Sequence, residues 1–130
     1  MKNMKTIYSQ EQRAFYKASF FCTIVLRDRD GQAVLLSDGD RLIFGVRSDF
    51  DSNYLIKKVL TNDTELNGGY PIAVSPEEMT MQPGRYYYDI SVQTENGDFI
   101  KVVPPSRFTV YKSYTEKEGS GLNGNYRNRK

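Results

Sequence analysis

Between Tyr86 and Gln93 apolar and polar side chains alternate residue by residue, and Asn96-Gly97 follows shortly after. Tyr86, Tyr88, Ile90 and Val92 fall on one side; Tyr87, Asp89, Ser91 and Gln93 fall on the other. A period of two belongs to an extended strand. Asn-Gly between two alternating runs predicts a hairpin through a type I′ turn, which needs positive φ at both central residues. The expected partner strand runs from Phe99 to Val103 and ends at Pro104-Pro105, because proline cannot donate to a ladder. A further strand, Arg107 to Tyr111, places Phe108 and Val110 together. Asp89 is expected as an exposed charge on the outer side.

The same pattern recurs upstream. Phe20, Cys22, Ile24 and Leu26 share a strand face. Turns follow at Asp28-Arg29-Asp30-Gly31 and, after Leu35-Leu36, at Ser37-Asp38-Gly39-Asp40. Leu42, Phe44 and Val46 alternate with Ile43, Gly45 and Arg47. Tyr54 to Leu60 is a candidate strand in which Leu55 and Ile56 compete for the inner side. Thr61 to Gly69 reads as a polar loop and Tyr70 to Val74 as a short strand. Ser75-Pro76-Glu77-Glu78 has the form of a capping box, with Pro76 at a position where its missing donor costs nothing. One short helical turn near 75–80 is expected there, tucking Met79 or Met81 against the core. Roughly seven or eight short strands, each bounded by turn chemistry, predict an all-β, antiparallel sandwich.

Organisation along the chain follows from the same signals. Residues 1–17 are expected as an N-terminal arm, with Thr6-Ile7-Tyr8 as an edge strand or Ser9 to Lys17 holding a helical turn. Residues 18–114 form the sandwich, and 115–130 form a polar tail with too little apolar surface to pack. In 130 residues the hydrophobic share is 38%, below the usual 45–50% or so, and the tail accounts for part of that deficit.

Composition excludes several chemistries. There is no His, so no imidazole base or ligand is available. The single Cys permits neither an intrachain disulfide nor a CxxC site. Met1-Lys2-Asn3-Met4-Lys5 leads into polar residues without the apolar core of a signal peptide. The longest apolar stretch, Ala18 to Leu26, is too short to span a bilayer. Synthesis in a reducing cytosol is expected, with Cys22 as a small apolar residue rather than a nucleophile. The net charge of +2 is unevenly spread. Residues 1–17 hold four basic residues against one acidic, 115–130 four against two, and 18–114 ten against thirteen. A mildly acidic body with basic ends argues against a nucleic-acid-binding body, which needs a dense basic face.

Asp28/Asp30, Asp38/Asp40 and Asp49/Asp51 could present clustered oxygens to Ca²⁺, but none continues into a complete binding loop, so they read as turn formers. No metal or cofactor is expected. Phosphate-binding and nucleophile-elbow motifs are absent, and the chain is expected not to be an enzyme. Tyr86 and Tyr88 belong to the core face. Tyr87 fits either a contact surface, for a protein or a sugar ring, or cross-strand filling of a solvated face. Tyr111 and Tyr114 could extend such a surface.

The order Leu36-Ser37-Asp38-Gly39-Asp40, Leu42-x-Phe44-x-Val46, Val74-Ser75-Pro76-Glu77-Glu78-Met79-Thr80, Pro83-Gly84-Arg85-Tyr86-Tyr87-Tyr88-Asp89-Ile90, Asn96-Gly97-Asp98 and Pro105-Ser106-Arg107-Phe108-Thr109-Val110 is similar to short proteins in prophages of Gram-positive bacteria. It resembles the N-terminal immunoglobulin-like domain of phage upper baseplate proteins, over about residues 15–112. The resemblance implies an immunoglobulin-like fold that docks in a baseplate. In longer members a further segment carries receptor binding; here only a polar tail follows, which favours a small structural or adaptor subunit. The expected partners are other tail or baseplate proteins and copies of the chain itself, with no nucleic acid and no membrane insertion. The expected location is the virion, assembled in the host cytoplasm. A carbohydrate-binding or adhesin-like module using exposed tyrosines is the alternative.

Overall fold

The computed structural model describes residues 11–49 and 52–112. Seven strands occur among them: β1 Gln12–Phe15, β2 Phe20–Ile24, β3 Arg41–Arg47, β4 Ile56–Leu60, β5 Tyr70–Val74, β6 Gly84–Gln93 and β7 Phe99–Tyr111. They form a five-stranded sheet of order β1-β7-β6-β3-β4 and a two-stranded sheet of β2 and β5. All pairs are antiparallel except β1 with β7. The β7-β6-β3 order with β4 added, facing β2 and β5, is the strand arrangement of a variable-type immunoglobulin sandwich. The Tyr86 hydroxyl donates to the Gln82 carbonyl at 2.6 Å, a tyrosine corner at the entry to β6. The fold is therefore an immunoglobulin-like β-sandwich.

Alternation decides which side chains fill it. Leu42, Phe44 and Val46 are fully buried, and Tyr88, Ile90 and Val92 lie beside them on the neighbouring strand. From the smaller sheet come Phe20, Ile24, Tyr70, Ile72 and Val74. Phe20 reaches across to Phe44 and Phe108, with ring centroids 6.4 and 5.2 Å apart, and Tyr88 joins the same cluster. Aromatic packing thus ties the sheets together in a chain whose single cysteine cannot bridge them. Between Leu55 and Ile56 the inner side goes to Ile56, the first residue of β4, which is buried, while Leu55 before it is exposed.

Several expectations require correction. The hairpin closes with Thr94 N–H donating to the Asp98 carbonyl and Gly97 N–H to the Thr94 carbonyl. Gly97 has φ +96°, whereas Asn96 is not among the non-glycine residues of positive φ. This is the longer connection with a glycine bulge, not a type I′ turn, and the Thr94 hydroxyl stabilises it by accepting Asp98 N–H. Pro104-Pro105 does not end a strand. β7 runs through both prolines, because they occupy the register shift between the Tyr88–Ser106 and Ile90–Val103 pairs, where a missing donor breaks no ladder bond. At the N-terminus, Gln12–Phe15 is a strand of the large sheet rather than part of a helical turn, and Lys17 (φ +58°) turns the chain after it. Thr6–Tyr8 and the tail lie outside the described residues.

At Ser75 the capping box forms reciprocally: Ser75 N–H donates to Glu78 Oε1 (2.9 Å) and Glu78 N–H to Ser75 Oγ (3.2 Å). It closes a hydrogen-bonded turn that buries both Met79 and Met81. The helical segment among the described residues is instead a 3₁₀ turn at Asn62–Thr64, inside the expected polar loop.

Candidate interaction face

The inner side of the five-stranded sheet is covered by the smaller sheet; its outer side carries the alternate residues. Register places them in rows. Arg107, Tyr87 and Arg47 lie side by side across β7, β6 and β3. On one side of this row are Arg13, Thr109 and Arg85. On the other are Asp89, Gly45 and Lys57, then Lys101, Ser91, Ile43 and Val59. Beyond them lie Phe99, Gln93 and Arg41.

Asp89 is not the exposed charge expected. It is 3% exposed, and its Oδ2 accepts from Arg47 Nη2 at 2.8 Å and from Lys101 Nζ at 3.0 Å. A carboxylate taken out of water needs such partners, since burial without them is costly. Arg47 reaches it from β3 and Lys101 from β7, so the triad links three neighbouring strands.

Tyr54 contributes to the same cover. A Cβ on Gly45 would collide with the Tyr54 ring, so glycine is what lets the ring lie on β3. The guanidinium of Arg47 sits 4.8 Å from the centroid of that ring, with Lys57 Nζ on the same ring at 5.8 Å, a cation–π arrangement. Ser91, next to Asp89 on this side, is buried, and its hydroxyl has no hydrogen-bond partner among the described residues. Sequence reasoning missed Tyr54 and the burial of Asp89, although two signals were present. Glycine inside an otherwise regular strand marks close approach, and Asp is depleted from strand interiors.

Of the residues singled out for contact, Tyr87 is exposed in the row between Arg47 and Arg107. Tyr111 is exposed near the end of β7, its ring 5.8 Å from that of Phe15 on β1. Register therefore does not make them direct neighbours, although both belong to this sheet. Tyr114 lies outside the described residues. Phe15 is a further exposed aromatic that the sequence did not single out.

The strands of this sheet also concentrate charge. Arg13, Arg41, Arg47, Lys57, Arg85, Lys101 and Arg107 all occupy outer positions, and Asp89 is the one acidic residue within the strands. An acidic body therefore presents a basic face, which its average charge concealed. The acidic residues gather in turns. Asp28 Oδ1 accepts from the N–H groups of Asp30 and Gln32, Asp40 accepts from those of Ser37 and Glu95, and Asp38 accepts from Asn62 Nδ2. Asp28, Asp38 and Asp40 thus act in turn and loop bonding; Asp51 lies outside the described residues. Burial pushes the Cys22 thiol up to about 11, away from the thiolate form that nucleophilic chemistry needs.

No family model and no curated protein matches the chain. Among solved structures it is similar to murine CRIg at 12% identity and a TM-score of 0.38, over 85% of this chain and 96% of that one. At that distance the likeness adds nothing to the fold argument made from the sheets themselves.

Proposed function

We propose that this chain is a non-enzymatic assembly module, a structural or adaptor subunit of a phage tail or baseplate that works through protein–protein contact. The observation that carries the assembly reading is the outer face of the five-stranded sheet, where exposed Tyr87, Tyr111 and Phe15 stand among arginines. Tyrosine and arginine are the residue types enriched where protein surfaces bind. The buried Asp89 triad and the Tyr54 ring hold part of this face in a defined shape, so less conformational freedom is lost on docking. The assignment to a phage tail rests on the resemblance of residues 15–112 to baseplate immunoglobulin-like domains. Peptide mass spectrometry of gradient-purified phage particles tests it. The chain is expected in fixed ratio to the other tail proteins; its absence from intact tails refutes the assignment.

A further inference from the structure

The two ends of the large sheet differ in charge. One end is made by the turn Ser37–Asp40, the 3₁₀ turn Asn62–Thr64 and the hairpin after β6. Asp40 binds Glu95 N–H, and Asn62 binds Asp38, so the three connections are held together. Asp38, Asp63, Glu95 and Asp98 are exposed there, against one exposed arginine, Arg41, at the start of β3. Leu35, Leu66 and Phe99, all more than half exposed, lie in or beside the same connections. The opposite end of the sheet bears the reverse combination. Arg107 and Arg47 flank Tyr87 in its row, Arg85 and Arg13 lie in the next row on either side of Thr109, whose hydroxyl donates to Glu11, and Phe15 and Tyr111 add exposed aromatic surface.

We infer that this chain assembles head to tail, the acidic end of one copy docking on the basic, aromatic end of the outer face of the next. The inference rests on the assembly reading above and names its partner as a second copy. The two surfaces are opposite in balance: carboxylates outnumber Arg41 at one end and guanidinium groups outnumber Glu11 at the other, with exposed apolar side chains on both sides to be covered. Opposite charge steers and orients the encounter, and the apolar side chains supply burial. The two patches lie at different ends of one sheet, so the contact is heterologous. Such contacts grow into rings where the rotation closes and into filaments where it does not.

Sedimentation velocity on the full chain tests this with two charge-reversed variants. Arg85→Glu with Arg107→Glu makes both surfaces acidic; Asp63→Lys with Asp98→Lys makes both basic. None of these four side chains takes part in the Asp89 triad or in the hydrogen bonds that hold the loops together. The wild-type chain is expected to gain mass with concentration at about 50 mM salt and to return to the monomer at about 500 mM, where screening shortens to a few ångströms. Each variant alone should lose at least about a hundredfold in association constant, since like charges then face each other. An equimolar mixture of the two should associate again, because each supplies the surface the other has lost. A wild-type chain that stays monomeric at low salt overturns the inference, and so does a mixture that stays monomeric. Monomeric chain that instead binds an oligonucleotide also overturns it, in favour of a polyanion on the basic surface. If the chain is monomeric yet present in purified tails, the contact falls and the assembly reading stands. Reassociation of the variants by a chain absent from tails supports the contact and removes the phage assignment.

Discussion

Replacing Arg47 and Lys101 together by methionine strips Asp89 of both its cations while keeping most of the aliphatic cover. Asp89 is 3% exposed, whereas Arg47 and Lys101 are 25% and 39% exposed. The desolvation burden of the triad therefore falls on the carboxylate, and the two cations could rejoin water if it were gone. Either single substitution leaves one charged partner at hydrogen-bond distance and should cost about 1–2 kcal/mol. Arg47→Met should be the worse of the two, because it also removes the contact with the Tyr54 ring. The double variant leaves a buried carboxylate without a cation and should cost about 3–5 kcal/mol. For a domain of this size that is a fall in Tm of roughly 15–25 °C. Adding Asp89→Leu to the double variant should recover most of the loss, because a buried ion cluster replaced by apolar side chains is often neutral or stabilising by about 1–4 kcal/mol. Urea denaturation of the wild type and these four variants at neutral pH gives the numbers. A double variant within about 1 kcal/mol of wild type, or a triple variant no more stable than the double, would refute the claim that Asp89 is dry and held by these two cations.

Gly45→Ala should force the Tyr54 ring off β3 and cost about 1–3 kcal/mol; in the Tyr54→Ala background the same change should cost much less, and equal costs by thermal denaturation would show that the ring does not lie there. Tyr86→Phe removes the hydroxyl that donates to Gln82 and should lower urea-measured stability by about 0.5–1.5 kcal/mol; no loss would make that corner decorative. Hydrogen bonds from Lys58 and from Ser75 N–H lower the Glu78 carboxyl from 4.5 to about 2. Its folded value lies below the unfolded one, so its contribution is fully present above about pH 4.5 and is lost as the pH falls towards 2. A Lys58→Met variant should show a shallower loss of stability across that window, and an unchanged slope in pH-dependent melting would count against the pairing.

Period and turn chemistry were sufficient to place most strands and their inner faces. Leu42, Phe44 and Val46, and Tyr88, Ile90 and Val92, could be assigned inward because a strand alternates by geometry and one face must leave water. The capping box at Ser75 was legible for a similar reason: its partners are three residues apart and meet through local backbone alone. The sandwich class followed from these local rules.

The outer face was decided only in three dimensions. Asp89 reads as exposed in its own strand, and it becomes buried because Arg47 from β3 and Lys101 from β7 converge on it. Tyr54 covers Gly45 from the segment before β4; the glycine signals a close approach, but nothing local names the ring that makes it. Pro104 and Pro105 would end an ordinary strand, but a register shift between β6 and β7 absorbs them. The parallel pairing of β1 joins residues almost the whole described chain apart. Charge shows the same division. The sequence determines how many acidic and basic residues the body holds, and their sum is slightly acidic. Which of them share a surface depends on which strands pair, and pairing brings the strand arginines and lysines onto one face while turns take the aspartates. Local geometry is set by neighbours along the chain, whereas a surface is assembled from distant segments. That is why the strands could be read from sequence and the face could not.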